Sequence, residues 1–165
     1  MQHKNRGFSL LAAHEFGNGY MLTSVAGWRD DLIEKTQDID ALPYDGYHVQ
    51  NRDNSQKIFT QELRIISSER ESFDFFAGIY YLNQDSELEM NATIGGWWFG
   101  AALDGVGVRA VNEVEVESYA AFIHGNIHLT DSITLFGGAR YTAETKEQIL
   151  AENFVLSSDG LPSNT

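Results

Sequence analysis

Two histidines four residues apart, His124 and His128, have a type and spacing that could bind a metal ion. Imidazole is a common zinc ligand, and this spacing places both rings on one face of a helix. The flanking residues, however, alternate between apolar and polar, which predicts a strand. On a strand the two side chains lie about 13 Å apart at roughly 3.3 Å per residue. One metal ion cannot bridge that distance, so the sequence predicts polar lining residues here and no metal site.

Three charged residues, Glu62, Arg64 and Arg140, fall on the polar side of other alternating segments. They could pair with each other, with a separate domain inside a barrel, or with a ligand. Charged residues are ordinary lining on the inner face of a barrel. With His124 and His128 they form a predicted set of polar residues facing a lumen.

Most of the negative charge lies in two segments. The formal net charge is −13, and residues 30–55 and 83–114 carry −5 and −4 of it. Acidic oxygens suit Ca²⁺, but Asp38, Asp40 and Asp45 lack the ordered spacing of a calcium-binding loop. The sequence therefore predicts solvated loops in both segments.

A glycine-framed aromatic run, from Gly95 to Gly100, is the most unusual segment of the chain. Aromatic faces suit stacking on a ring-bearing or sugar ligand, although packing within the loop and anchoring at a membrane interface are alternatives. The predicted ligand-binding residues, all in the two acidic segments, are Tyr44, Tyr47, Trp97, Trp98 and Phe99.

Several classes of function are not supported by the residues. None of the sequence patterns of serine hydrolases, phosphate-binding loops, zinc peptidases or dinucleotide-binding domains is present, so we expect no enzyme and no cofactor. The absence of cysteine excludes disulfide scaffolds and thiolate-ligated metals. The acidic balance argues against nucleic acid as a partner.

The elements that would position these residues are short alternating runs bounded by turn residues. No apolar run approaches the ~18 to 20 residues of a membrane-spanning helix. A tilted strand needs about 9 to 11 residues to cross a bilayer, and each run is at least about that long. The predicted strands are 8–16, 20–29, 56–67, 72–82, 115–129 and 132–142.

The connections between these strands alternate in length. Strands one and two, three and four, and five and six are joined by hairpin-sized turns, whereas 30–55 and 83–114 are long loops. Outer-membrane barrels have short periplasmic turns and long extracellular loops. The sequence therefore predicts an all-β, antiparallel up-and-down meander of about six long strands, forming part of a transmembrane β-barrel.

Three motifs resemble those of TonB-dependent receptors. The residues Phe59 to Ile65 (F-T-Q-E-L-R-I), a turn, and Phe75 to Tyr81 (F-F-A-G-I-Y-Y) resemble one hairpin of that family. The run Y-A-A-F from Tyr119, then L-T-D from Leu129 and G-G-A-R-Y-T from Gly137, resembles another. Leu22 to Arg29 is similar to an earlier strand, so these motifs cover five of the six predicted strands in order.

This resemblance implies a barrel of about 22 strands closed by a plug, which takes up a siderophore or similar scarce nutrient. The implied partners are outer-membrane lipid, the nutrient, and the TonB energising complex acting through the plug. The implied location is the bacterial outer membrane. We expect the plug to be absent from these 165 residues, which would be a fragment of the wall that does not transport by itself. The alternative is a soluble β-barrel that binds a small ligand.

Overall fold

The chain folds as a single antiparallel sheet. The computed structural model describes residues 2–38, 47–68, 72–94, 106–130 and 132–155. Within these ranges the regular structure is entirely β, and the strand order in the sheet follows the order in the chain. This confirms the predicted six-stranded up-and-down meander. The strands are β1 (Gln2–Glu15), β2 (Met21–Asp38), β3 (Tyr47–Ile66), β4 (Phe73–Ile94), β5 (Val106–Thr130) and β6 (Ile133–Val155).

The turn between β1 and β2 shows how local sequence ends a strand. The amide of Phe16 donates to the carbonyl of Tyr20 at 2.7 Å, and the amide of Gly19 donates to the carbonyl of Phe16 at 2.9 Å. Gly19 has a φ of 81°, a conformation that glycine adopts readily because it lacks a Cβ. The turn therefore reverses the chain within a few residues.

The strands are longer than the sequence predicted. Residues 30–38 belong to β2, 47–55 to β3, 83–94 to β4 and 106–114 to β5, so the predicted loops 30–55 and 83–114 are too long. The prediction stopped each strand where apolar alternation gives way to Asp, Glu and Asn, residues that are depleted in strands. These segments nevertheless pair backbone to backbone as continuations of the strands.

The cross-strand register sorts the side chains onto two faces. Residues that pair across an antiparallel ladder lie on the same face, and neighbours along a strand lie on opposite faces. We call the face that holds Leu63, Ile79 and Ile123 the apolar face, and the face that holds Arg64, Phe122 and Arg140 the polar face. The division is incomplete. The exposed apolar residues on the polar face are Leu11, Val25, Leu88, Met90, Phe136 and Leu150.

The apolar face carries a band of large exposed side chains. Its height is nine residues in β4, from Phe73 to Tyr81, and eleven in β5, from Tyr119 to Leu129. This is about the 9–11 residues that a tilted strand needs to cross a bilayer. The exposed members in β3 to β6 are Phe59, Leu63, Ile65, Phe73, Ile79, Tyr119, Ile123, Ile127, Leu129, Ile133, Leu135 and Tyr141.

Aromatic side chains bound this band at both ends. At the end away from the short turns, Phe8 stacks on Trp28 at 5.8 Å between ring centroids, Phe59 lies 6.3 Å from Tyr81, and Tyr81 lies 5.0 Å from Tyr119. We call these five residues the outer aromatic row. At the end near the short turns the rings are Phe16, Tyr20, Phe73 and Phe75.

The sheet has almost no conventional core. In the part of the chain whose side chains are described, the buried hydrophobic residues are Ala92 and Ala120. No helix in the described ranges is long and apolar enough to span a membrane. The backbone ladders, and the side-chain pairs across them, therefore hold the sheet together.

Gly78 is needed where two strands and an aromatic ring meet. A Cβ at this position would lie 2.6 Å from Cζ of Phe122 and 2.7 Å from the carbonyl oxygen of Leu63. Both distances are shorter than a van der Waals contact, and the carbonyl belongs to the backbone of β3. The Phe122 ring thus covers the space that glycine leaves.

We predict that Gly78→Ala lowers the free energy of unfolding by about 1 to 3 kcal/mol, because the added methyl group overpacks this site. The measurement is urea unfolding of the protein in detergent micelles. Gly137→Ala is the matched control, since a Cβ there would meet nothing within 4 Å. Equal effects of the two substitutions would show that the contact with Phe122 does not matter.

Candidate functional site

The five polar residues singled out in the sequence lie on the polar face. Glu62 and Arg64 are in β3, His124 and His128 in β5, and Arg140 in β6. They occupy the half of the sheet nearer the short turns, at the level of the apolar band on the opposite face. The register brings three of them close together through aromatic rings and leaves the two histidines with separate partners.

Two arginines flank one phenylalanine ring at the centre of the polar face. Arg64, Gly78, Phe122 and Arg140 pair in one row across β3 to β6. The guanidinium carbon of Arg64 lies 5.9 Å from the ring centroid of Phe122, and that of Arg140 lies 5.7 Å from it. Gly78, between Arg64 and Phe122, leaves the room that this arrangement requires. We call Arg64, Phe122 and Arg140 the arginine–phenylalanine cluster.

Neighbouring residues fix the two guanidinium groups. Arg64 forms an ion pair with Glu62 and lies 5.4 Å from the centroid of Phe76. Arg140 lies 5.7 Å from the centroid of Tyr80, and its Nε donates to Oγ1 of Thr142 at 3.2 Å. Such contacts favour a planar cation over aromatic faces. The contacts hold both guanidinium groups in place on the polar face, and the charge of Arg64 is balanced by the Glu62 carboxylate.

The Nε atom of Arg64 is a buried donor. It is inaccessible to solvent and has no hydrogen-bond partner among the described residues. Leaving a buried donor unpaired has a free-energy cost.

His128 belongs to a hydrogen-bond network that sequence reasoning missed. Its Nε2 lies 2.8 Å from Oδ2 of Asp74, and its Nδ1 lies 3.0 Å from Oγ1 of Thr134. Asn126 donates to the other oxygen of Asp74 at 2.7 Å. The network joins β4, β5 and β6 close to the short turns. Asp74 could have been found from the polar alternation of β4, but its pairing with β5 depends on register.

His124 lies elsewhere on the polar face and stacks on Phe76, with ring centroids 5.3 Å apart. His124 and His128 therefore have different partners. Across the described side chains, no group of three or more His, Asp or Glu residues is placed to hold a metal ion.

Ion pairs connect neighbouring strands beyond the outer aromatic row. Arg109 donates to both carboxylate oxygens of Glu89, at 2.9 and 3.1 Å, and this pairing raises the pKa of the guanidinium above its usual value. Between β1 and β2, Arg6 pairs with Asp30 at 2.6 Å and Asp31 accepts from Asn5. Within β2, Asp31 also pairs with Arg29. These contacts help to keep the polar ends of the strands paired.

The predicted ligand-binding aromatic residues are not placed by the structure. Tyr44, Trp97, Trp98 and Phe99 lie outside the described residues. Tyr47 begins β3, where its backbone pairs with Ile94, and its side chain is not described. Their role as a ligand site stays a prediction.

Comparison with known proteins shows a similarity in fold. No protein-family model and no curated protein sequence matches the chain. Among solved structures, the chain is similar to the ferric yersiniabactin uptake receptor FyuA from Yersinia pestis, with a TM-score of 0.68 over 92% of the chain. The likeness is one of fold. The sequence identity is 14%, and the chain spans about a quarter (25%) of the receptor's length.

We predict that Phe122 and Arg140 are energetically coupled. In a double-mutant cycle with Phe122→Leu and Arg140→Gln, the coupling free energy should be about 0.5 to 1 kcal/mol, as expected for an exposed cation–π pair. The measurement is urea unfolding in micelles. Phe136→Leu is the control partner for Arg140→Gln, because Phe136 lies on the same face and is 79% exposed. If the coupling between Arg140 and Phe136 were as large, a specific stack of Arg140 on Phe122 would be ruled out.

Proposed function

We propose that this chain forms part of the wall of an outer-membrane β-barrel of the TonB-dependent receptor type. The observation that carries the proposal is the apolar band, bounded by aromatic rings at both ends, with arginine, histidine and aspartate on the opposite face. Barrels in outer membranes have this division between a lipid-facing band with aromatic girdles and a polar interior. The similarity in fold to an uptake receptor supports it.

The two faces differ in burial in a way that indicates their curvature. Ser118 and Ala120, on the polar face, are 7% and 6% exposed, whereas Tyr119 between them on the apolar face is 53% exposed. In a single-layered sheet, side chains converge on the concave face and spread apart on the convex one. We infer that the polar face is concave and the apolar face convex.

This curvature disfavours a soluble small-ligand barrel. Such a barrel would pack its apolar side chains inside and present the polar ones to water. Here the apolar residues cover the outside, where soluble monomers rarely expose patches larger than a few hundred Å². In a lipid bilayer these apolar side chains would face hydrocarbon instead of water, so their exposure would carry no free-energy penalty.

Closure of the barrel requires further strands. In the described sheet β1 pairs only with β2, and β6 only with β5, so both edges have unpaired backbone groups. Unpaired edges are not tolerated in lipid. We propose that these six strands take up about a quarter of a large barrel and do not transport by themselves.

The activity that we propose for the complete barrel is energised uptake of a siderophore or similar scarce nutrient. The TonB complex would supply the energy through a plug, and the bacterial outer membrane would be its location. The sequence motifs of two hairpins and the shared fold support this function. The polar face of the wall would line the lumen and contact the plug or the passing ligand; it is not proposed as a catalytic surface.

We predict that Trp97→Ala combined with Trp98→Ala, made in the complete protein, reduces uptake of radioactive iron from ferric siderophores at least about tenfold. The reason is the loss of two stacking surfaces at the proposed entrance. Barrel assembly, followed by heat-modifiable migration in gels, should be unchanged. Trp28→Ala, on the apolar face, is the control for a general loss of aromatic area. If uptake survives the double change but is lost after Glu62→Gln or Arg64→Gln, ligand discrimination lies in the lumen.

A further inference from the structure

Charge is divided unequally between the two faces of the sheet in the parts of β3, β4 and β5 that lie farther from the short turns. Residues 54–60, 82–88 and 112–118 lie side by side in these three strands. None of their side chains on the polar face is charged. Their charged side chains, all on the apolar face, are Lys57, Asp85, Glu87, Glu113, Glu115 and Glu117.

The polar face of the same stretches carries side-chain amides among aliphatic residues. Asn54 and Gln56 lie in β3, Gln84 in β4 and Asn112 in β5, and Gln148 of β6 pairs into the row of Gln56. We call these five residues the carboxamide surface. The aliphatic residues between them are Ile58, Leu82, Leu88, Val114 and Val116.

The strands on either side add no net charge at this level of the polar face. In β2, Arg29 and Asp31 form an ion pair with each other. In β6, Glu144 and Lys146 carry opposite charges and lie two residues apart on the same face. The six charged residues of the apolar face point away, because neighbours along a strand alternate between faces. The carboxamide surface is therefore electrically neutral.

The carboxamide surface keeps hydrogen-bonding capacity for a ligand. Gln148 donates to Oδ1 of Asn112 at 2.8 Å, and Gln84 donates to Oγ of Ser86 at 3.2 Å. Within the described part of the chain, Asn54 is exposed, Gln56 is half-buried, and neither side chain has a hydrogen-bond partner. Each side-chain amide can donate and accept at once. The surface thus offers both donors and acceptors without a formal charge.

The dimensions and position of this surface suit a compact ligand on its way through a lumen. From the row of Gln84 to the row of Asn112 is four residues along a strand, or about 13 Å, and from β3 to β6 is three strand spacings, or about 14 Å. The surface lies on the face inferred to be concave, on the side of the arginine–phenylalanine cluster that is farther from the short turns. A ligand that entered from that side would meet it before the cluster.

We propose that the carboxamide surface determines the charge specificity of uptake and selects iron chelates of zero net charge, in which three hydroxamate groups balance Fe³⁺. Gln56, Gln84 and Asn112 donate to carbonyl oxygens of the chelate and accept from its amide or hydroxyl groups. The aliphatic residues between them contact its methylene groups. This inference rests on the proposed function, since it requires the polar face to line the lumen of an uptake barrel.

The lack of charge is the basis of this selectivity. A ferric chelate built from catecholate groups carries several negative charges, and contact with an uncharged wall removes part of its hydration without supplying a counter-charge. A neutral chelate loses less hydration and regains hydrogen bonds from the amides. Toward the short turns, Glu62 balances Arg64, which leaves Arg140 as one positive charge of the arginine–phenylalanine cluster. One charge does not match a chelate that carries several.

The first test removes amides while keeping side-chain length. In the complete protein, purified in detergent, Gln56→Met with Gln84→Met should weaken binding of an uncharged ferric trihydroxamate about tenfold, because two hydrogen-bonding groups are lost. Equilibrium dialysis with radioactive iron measures the affinity. Asn83→Leu is the matched control, since Asn83 is next to Gln84 on the apolar face. Unchanged affinity of the double variant would overturn the site.

The second test adds a charge. Unmodified protein should bind the trihydroxamate at least about tenfold more tightly than a ferric tris-catecholate, and Gln84→Lys should shift the ratio of the two affinities about tenfold toward the tris-catecholate. Asn83→Lys, on the apolar face, should leave the ratio unchanged. The ratio separates altered selectivity from a general loss of folding, which would lower both affinities. Tighter binding of the tris-catecholate by unmodified protein would overturn the choice of ligand.

These outcomes are distinguishable from failure of the proposed function. A complete protein that assembles as a heat-modifiable barrel in membranes but does not prefer the neutral chelate contradicts this inference and leaves the barrel wall intact. A protein that is soluble and monodisperse without detergent contradicts both.

Discussion

The backbone register between neighbouring strands is the constraint on which the rest of the structure depends. Every residue of β4 pairs with β5, from Phe73 with Ile127 to Ile94 with Val106, without a register shift. Because side chains alternate with period two, a slip of one residue would move every apolar side chain to the other face. The arginine–phenylalanine cluster and the aromatic rows both follow from this one alignment.

The ladder also satisfies the backbone where little else stabilises the sheet. With few buried residues, the strands gain stability from hydrogen bonds and cross-strand pairs, and a bilayer would add burial of the apolar band. The single sheet would then face hydrocarbon on one side and water on the other. The convex face suits hydrocarbon, and the concave face holds cations over aromatic rings. Beyond the outer aromatic row, charged side chains such as Asp85, Glu89 and Arg109 follow the apolar band.

Much of this architecture could be predicted from sequence because alternation is a local property. Phe73 to Leu82 shows its two faces without any knowledge of its partners, and short turns such as Gly17 to Gly19 determine which strands are neighbours. The polar extensions of β2 to β5 were not predicted, since Asp, Glu and Asn are also typical of loops. The Asp74 network and the Phe122 stack were missed for another reason. Both contain a contact between residues more than 35 positions apart in the chain. Only the pairing of the strands shows that such residues lie close together.

The central claim is that the apolar face lies in lipid and the polar face in a water-filled lumen. The chain has no cysteine, so single cysteines can be introduced along β5 at positions 121 to 127 of the complete protein in bilayers and labelled with nitroxide. Accessibility to dissolved oxygen and to a polar nickel complex then reports each environment. The account predicts high oxygen accessibility at Ala121, Ile123 and Ile127 and high nickel accessibility at His124 and Asn126. Equal nickel accessibility at odd and even positions would contradict it.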